Sequence, residues 1–203
     1  KETNTMANAS TVGFGLRTTS TVGNTPATSG QSNYKIKSGL GVGIFKNNPV
    51  SIQDASGDQG YLQDASFATT DDTGSGGAAF DNSGHAPLIG SFNGAFYIDS
   101  STSKPTFANS VAASTTFGTD YNTGSNDGIG FVNDNPQQEY VIKADAAVTQ
   151  AMIGDAGYNT NSFTATDAKD GQSTVTLDIG GGAATTHMFK LVRSADDPNN
   201  NDL

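Results

Sequence analysis

The sequence predicts an all-β fold: a single β-sandwich or β-barrel domain with an extended N-terminal arm and long surface loops. Three observations carry this expectation. Ser, Thr, Asn, Asp, Gly and Ala dominate, with 25 glycines and only 15% charged residues, a composition that favours turns and sheet edges over helix interiors. Apolar residues recur with the period of a strand at Val12-Phe14-Leu16, at Leu40-Val42-Ile44 and at Val175-Leu177-Ile179. Only residues 144–154 carry a helical pattern.

At 203 residues and 20.7 kDa the chain suits one large β domain that can bury a real core, and two compact domains would be cramped. The expected organisation is an arm over residues 1–32, a body over 33–195 containing a long loop at 99–130, and a flexible tail over 196–203. Met6-Ala7-Asn8 reads as a translation start, with residues 1–5 upstream of it. Without cysteine there is neither a disulfide framework nor a thiolate metal site. The net charge of −10 argues against nucleic acid as a partner, because affinity for phosphates rests on clustered Lys and Arg. The charge is uneven: five of the ten basic residues lie at or before Lys46, where Glu2 is the one acidic residue. That asymmetry fits either an acidic partner for the N-terminal portion or uneven solvation. No apolar run approaches the ~18 residues of a membrane span and no signal-peptide pattern is visible, so the expectation is a soluble protein without a recognisable leader or membrane partner.

In chain order, the arm holds Val12, Phe14, Leu16 and Val22 among polar residues, too few for a core of its own. From Tyr34 to Val50 the reading is strand, tight bend, strand. Gly39, Gly41 and Gly43 leave one face bare for the close approach of another backbone, and Asn47-Asn48-Pro49 supplies turn chemistry. Asp71 to Gly77 reads as a surface loop. Pro87 to Phe92 and Ala95 to Ile98, separated by Asn93-Gly94, predict a hairpin on a type I′ turn. Residues 99–130 form a polar excursion anchored by Phe107, Val111, Phe117 and Tyr121, and such excursions usually serve an interface. A short helix is expected over 144–154, capped by Asp145 and stopped by Gly154, with Val148, Ala151 and Met152 on one face. Val175, Leu177 and Ile179 should face inward in a strand that pairs as a hairpin with His187 to Arg193. The expected core comprises Ile36, Val42, Ile44, Leu88, Ile89, Phe96, Tyr140, Ile142, Val175, Leu177, Phe189 and Leu191.

Catalytic chemistry finds little to stand on. His85 and His187 have no partner to orient them and no Gly-x-Ser-x-Gly elbow exists. Asp is abundant in loops, where turn formation accounts for it, and Glu2 and Glu139 are the two glutamates. The oxygen-rich stretches Asp71-Asp72, Asn126-Asp127, Asn133-Asp134-Asn135 and Asp167 to Asp170 match no calcium-loop spacing. No catalytic residue, metal site or cofactor is therefore expected. A sugar-stacking platform would draw on Tyr61, Tyr97 or Tyr121 in the absence of Trp.

Three blocks of the chain resemble the capsid decoration, or cement, proteins of tailed bacteriophages. They are Met6 to Arg17; Tyr34 to Val50 with Pro87 to Tyr97; and Val132 to Asp145 with Gly171 to Asp178 and Lys190 to Asn200. In the second block the familiar Gly-Asp-Pro-Val turn is replaced by Asn47-Asn48-Pro49-Val50. The resemblance implies a non-enzymatic protein on the outer capsid surface, with a β-sandwich or barrel body, that binds the major capsid protein and itself, as a homotrimer first and a dimer second. Under that reading Val12, Phe14, Leu16, Arg17, Lys35, Lys37 and Lys46 would bind the capsid, the apolar three as an added strand and the basic four by charge. Phe107, Val111, Phe117 and Tyr121 would line the oligomer interface. The competing reading of the arm is that it docks on its own body or on a sister subunit. The alternative function is a β-sandwich adhesin or carbohydrate-binding module on the virion or cell surface.

Overall fold

The computed structural model describes residues 13–23, 25–26, 30–53, 58–65, 88–154, 157–160, 171–179 and 189–193. Val12, His85, His187, the Asp71 to Gly77 loop, Asp167, Asp170 and the 196–203 tail lie outside the described residues. The fold is all-β, as its composition predicts. Its strands are β1 (Arg17–Thr21), β2 (Thr25–Pro26), β3 (Ser32–Ile36), β4 (Ile44–Phe45), β5 (Pro49–Ile52), β6 (Leu62–Asp64), β7 (Leu88–Ile98), β8 (Pro105–Ala108), β9 (Ser110–Val111), β10 (Gly128–Asn133), β11 (Gln138–Val141), β12 (Asn159–Thr160) and β13 (Leu177–Asp178).

β7 organises the main sheet. Antiparallel β10 pairs along one edge of it, and the other edge is shared, with β5 on its first half and β8 on its second. The hairpin expected around Asn93-Gly94 is therefore corrected: both flanks belong to one continuous strand. Phe131 pairs with Gly94 and Val132 with Phe92, so Asn93 is the extra residue of a β-bulge and Gly94 takes a φ of 146° that a side chain would resist. Neighbours on both sides of the strand outweigh the local preference of Asn-Gly for a turn. The real hairpin is β7–β8, closed by Asp99. Its Oδ1 accepts from the backbone N–H groups of Ser101 and Thr102 at 2.9 and 2.7 Å, and Ser103 turns the chain at φ 56°.

The sheet order is β3-β10-β7-β5-β6. It curls until Lys35 of β3 makes a single parallel bridge to Tyr61, just ahead of β6. No ladder joins these edges, so the barrel is not closed. Inside the curl Ile36, Leu40, Ile44, Val50, Leu62, Phe92, Ala95, Val111, Phe117 and Val132 form one buried cluster. Two members, Val111 and Phe117, correct the expectation that they line an oligomer interface. Val111 pairs with Ile44, and the Phe117 ring stacks on Tyr97 with centroids 4.6 Å apart. The excursion at 99–130 is thus largely woven into the body through β8 and β9.

The glycine bend behaves as expected at two points. A Cβ on Gly43 would come within 3.0 Å of the Val111 carbonyl and the Ala113 nitrogen, and Asn47 adopts φ 69°. Val42 departs from its assignment to the core: it is 52% exposed at the tip of the bend. Ile36, Ile44, Val175 and Leu177 are buried as expected. Leu88, Ile89, Phe96, Tyr140, Ile142, Phe189 and Leu191 are half-buried.

A second layer is built by the first described residues. β1 pairs with β11 on one side and β2 on the other, the N–H of Leu16 donates to the Asn47 carbonyl at 2.7 Å, and that of Gly15 donates to the Val175 carbonyl at 3.1 Å. Leu16, expected as a capsid anchor, is instead fully buried. This much of the arm docks on its own body because its apolar residues have a ready-made sheet edge to cover. A smaller cluster lies toward the C-terminus, where Ala144, Tyr158, Leu177 and Ile179 are packed by Ile142, Val148, Met152, Phe189 and Leu191. The expected helix at 144–154 reduces to one 3-10 turn, Gln150–Met152. Asp145, rather than capping a helix, donates its N–H to the Leu177 carbonyl at 3.0 Å and accepts the Ile179 N–H on Oδ1 at 2.8 Å. The expected C-terminal hairpin is also corrected: β13 pairs with β12, while Phe189 bridges to Tyr158.

Candidate functional site

The outward face of the main sheet carries side chains that the fold does not require. Along β10 the inward positions include Gly128, Gly130 and Val132. A Cβ on Gly128 would meet the Phe117 ring at 2.9 Å, and one on Gly130 would meet Leu62 at 2.8 Å and Ile36 at 3.1 Å. The interior is therefore filled by neighbouring strands, and β10 turns Ile129 and Phe131 outward. Polar residues would serve equally well there. Register continues the row across the sheet: Ile129 lies opposite Phe96 of β7, and Phe96 opposite Phe107 of β8. The Phe107 ring sits 4.8 Å from Phe96 and 6.5 Å from Phe131, centroid to centroid. Phe107 is 76% exposed. A contiguous outward apolar row, with Phe107 exposed and Phe96 and Phe131 half-buried, is the usual mark of a surface that something else covers.

One end of the row is rimmed by a polar clasp. Lys35, paired in register with Ile129, donates to Asp127 Oδ2 at 2.9 Å. The Tyr61 hydroxyl donates to Asp127 Oδ1 at 3.1 Å and the Ser125 hydroxyl to Oδ2 at 2.8 Å. Partial burial works against the Asp127 charge, but the hydrogen bonds from Lys35, Ser125 and Tyr61 outweigh it and hold the carboxyl below its usual range. The clasp fastens β3 to Tyr61, the residue just ahead of β6, across the gap where the barrel stays open.

A groove of about 420 Å³ lies elsewhere, along β1 and β11, walled by Leu16, Ile142, Leu177, Phe189 and Leu191. Arg193 pairs with Glu139 at 3.3 Å, and the Ser20 hydroxyl donates to the same Glu139 oxygen at 2.7 Å. Tyr140 also lines it; burial first, and then the Asp134 charge, push its phenol up to about 12. Among the described residues Glu139 is the one carboxylate that lines the groove, and it is held by Arg193 and Ser20. Among the described residues no group of three or more Asp, Glu or His is arranged to hold a metal ion.

The residues expected to bind a capsid are not gathered into one patch by any contact. Phe14 is half-buried, its carbonyl accepting from Asn47 Nδ2 at 3.2 Å. Arg17 is exposed on β1. Lys35 is committed to Asp127, Lys37 is paired with Asp58, and half-buried Lys46 is tied through its backbone to Gly171 and Ser173. Of the four residues expected at an oligomer interface, Phe107 and Tyr121 are exposed, Tyr121 at 86%. Sequence reasoning missed Phe96, Ile129 and Phe131 as surface residues. The signal was present in Gly128-Ile129-Gly130-Phe131, where glycine and apolar residues alternate with no polar residue on either side, so both faces of the strand had to be accounted for.

Comparisons with protein-family models, with curated proteins and with solved structures returned no match to this chain.

Proposed function

We propose that this chain is a structural virion protein that binds the outer surface of a bacteriophage capsid and stabilises it by bridging neighbouring major capsid subunits. The observation that carries the reading is the outward row of Ile129, Phe96, Phe107 and Phe131 on a rigid sheet, because a decoration protein needs a preformed apolar platform and no catalytic machinery. The resemblance of three sequence blocks to phage cement proteins supports it. The mechanism is linkage: a ligand that binds the assembled shell and not its dissociated subunits stabilises assembly by RT ln(1 + [L]/Kd), about 2.7 kcal/mol at a hundredfold excess over Kd. The sheet backbone presents the row without an ordering cost at the moment of binding.

The test is co-sedimentation with DNA-free heads of the phage whose genome encodes the chain. The full chain should pellet with heads and raise their dissociation temperature, whereas the double substitution Ile129→Ser with Phe131→Ser should remain in the supernatant. Equal pelleting of the double variant rules out the platform. Absence of the chain from purified virions by mass spectrometry rules out the function. One observation favours a second reading, a carbohydrate-binding module: ring spacings of 4.8 and 6.5 Å in the Phe96-Phe107-Phe131 row suit stacking against sugar faces. Retention of the chain on a polysaccharide matrix, lost in the same double variant, would select it.

A further inference from the structure

We infer that β8 is a self-association edge, through which two copies of this chain pair antiparallel about a two-fold axis passing at Phe107. The inference is independent of the capsid reading and rests on hydrogen-bond parity. The N–H of Asp99 donates across the hairpin to the Lys104 carbonyl at 2.9 Å, while the Ile98 carbonyl turns away from β8 and accepts from the Gly118 N–H at 2.7 Å, which fixes the parity at the base of the β7–β8 hairpin. Alternation then follows for an antiparallel ladder. Pro105, opposite Ile98, is a non-bonded position, as a residue without an N–H requires. Thr106, opposite Tyr97, is bonded, and Phe107, opposite Phe96, is again non-bonded. At a non-bonded position both backbone groups point away from the partner strand. The N–H and C=O of Phe107 therefore point to the side of β8 away from β7, where no strand is paired among the described residues.

Two further features separate this edge from an ordinary blunted one. Exposed edges are commonly protected by charged side chains or by Pro. β8 reads Pro-Thr-Phe-Ala, with no charge, and its Pro occupies one end. Pro105 can offer an outward carbonyl but no donor, so Phe107 is the residue within β8 that presents both. A residue that donates and accepts at once on an open edge is its own complement. Pairing it with itself in a second copy sets the register and generates two-fold symmetry. The pairing also places the two Phe107 rings side by side on the same face and so joins two outward apolar rows into one continuous platform. Such geometry selects a dimer over the trimer expected from the sequence, because three-fold symmetry cannot set a strand opposite itself.

Sedimentation velocity of the full chain over a concentration series tests this. A reversible monomer–dimer equilibrium is expected. Phe107→Pro removes the outward donor without touching a β7 hydrogen bond and should weaken the dimer at least tenfold while the far-UV circular dichroism stays unchanged. Should Phe107→Pro unfold the chain, a single-cysteine experiment still decides, since the natural sequence has no cysteine. Oxidised Phe107→Cys should form a disulfide dimer, since paired Cα atoms on neighbouring strands lie about 5.5 Å apart, while Tyr121→Cys, equally exposed, should not. A chain that is monomeric throughout, a trimer, or a folded Phe107→Pro variant that dimerises as tightly as the original would each overturn the inference, as would equal cross-linking at 107 and 121.

Discussion

The inward and outward faces of β7 and β10 are made by the same backbone, yet they obey different rules. Inward, Phe92, Ala95 and Val132 are buried against the rest of the core, and glycine is required wherever another strand already fills the space. Outward, the Phe107 ring meets those of Phe96 and Phe131, and Ile129 lies opposite Phe96. The inner face is specified by folding, since each side chain there has a volume to match. Among the described residues the outer face carries no such constraint, and the proposed function assigns its apolar character to a partner.

Substitutions that treat the two faces alike should expose the difference, and the largest effect belongs inside. Phe92→Ala should cost about 3–5 kcal/mol, the usual range for emptying a buried aromatic site, read as a lowered urea midpoint. Gly90→Ala comes next. Its Cβ would lie 2.1 Å from the Asn133 carbonyl oxygen, a backbone contact that cannot swing away, so a loss of about 1–3 kcal/mol is expected. Asp127→Asn, at the clasp between the faces, should cost about 1 kcal/mol near neutral pH. Because the folded carboxyl titrates below the ordinary carboxylate range, its contribution is present above that range and is lost as pH falls through the lower folded value. The stability gap between the original chain and Asp127→Asn should therefore close in acid, and a gap that persists at pH 2 would show that the charge is not what matters. The smallest stability effect belongs outside: Ile129→Ser should change the urea midpoint by no more than about 0.5 kcal/mol equivalent while weakening attachment to capsids. A large loss of stability there would move Ile129 into the core and dissolve the contrast.

At the other end of the pH scale, Tyr140 offers a separate check. Its phenol, raised to about 12 by burial and by Asp134, favours the folded state fully below pH 10, and that advantage fades as pH climbs through the folded value. In a spectrophotometric titration Tyr140 should ionise last or together with unfolding, whereas Tyr140→Phe should flatten the alkaline loss of stability.

Much of the inner face was legible in the sequence because it obeys local periodicity. Val175, Leu177 and Ile179 alternate and are buried, and Asn47 takes the left-handed backbone that its turn chemistry allows. What escaped reading depended on partners distant in sequence. Asn93-Gly94 has the composition of a hairpin turn but lies between β10 and the β5 and β8 pair, so a bulge costs less than breaking two ladders. Residues 144–154 carry a helical pattern, but Asp145 is claimed by the backbone of residues 177 and 179. The excursion at 99–130 appeared structureless because β8 and β9 are only four and two residues long and acquire strand geometry from β7 and β4. For the outward face, the period-two pattern of β10 was visible, but nothing local indicates which of two apolar faces looks outward until the glycines meet Phe117 and Leu62.

The pairing of β1 with β11 ties residues about 120 positions apart: the Thr19 hydroxyl donates to the Glu139 carbonyl across a separation of 120 residues. During synthesis β1 can pair with β2 almost at once, but its other edge has no partner until β11 has left the ribosome, an interval on the order of 6–24 s at typical elongation rates. Nascent chains are accordingly expected to gain full protease resistance at β1 only after residue 141 has cleared the exit tunnel, so a strand made early is secured on both edges late.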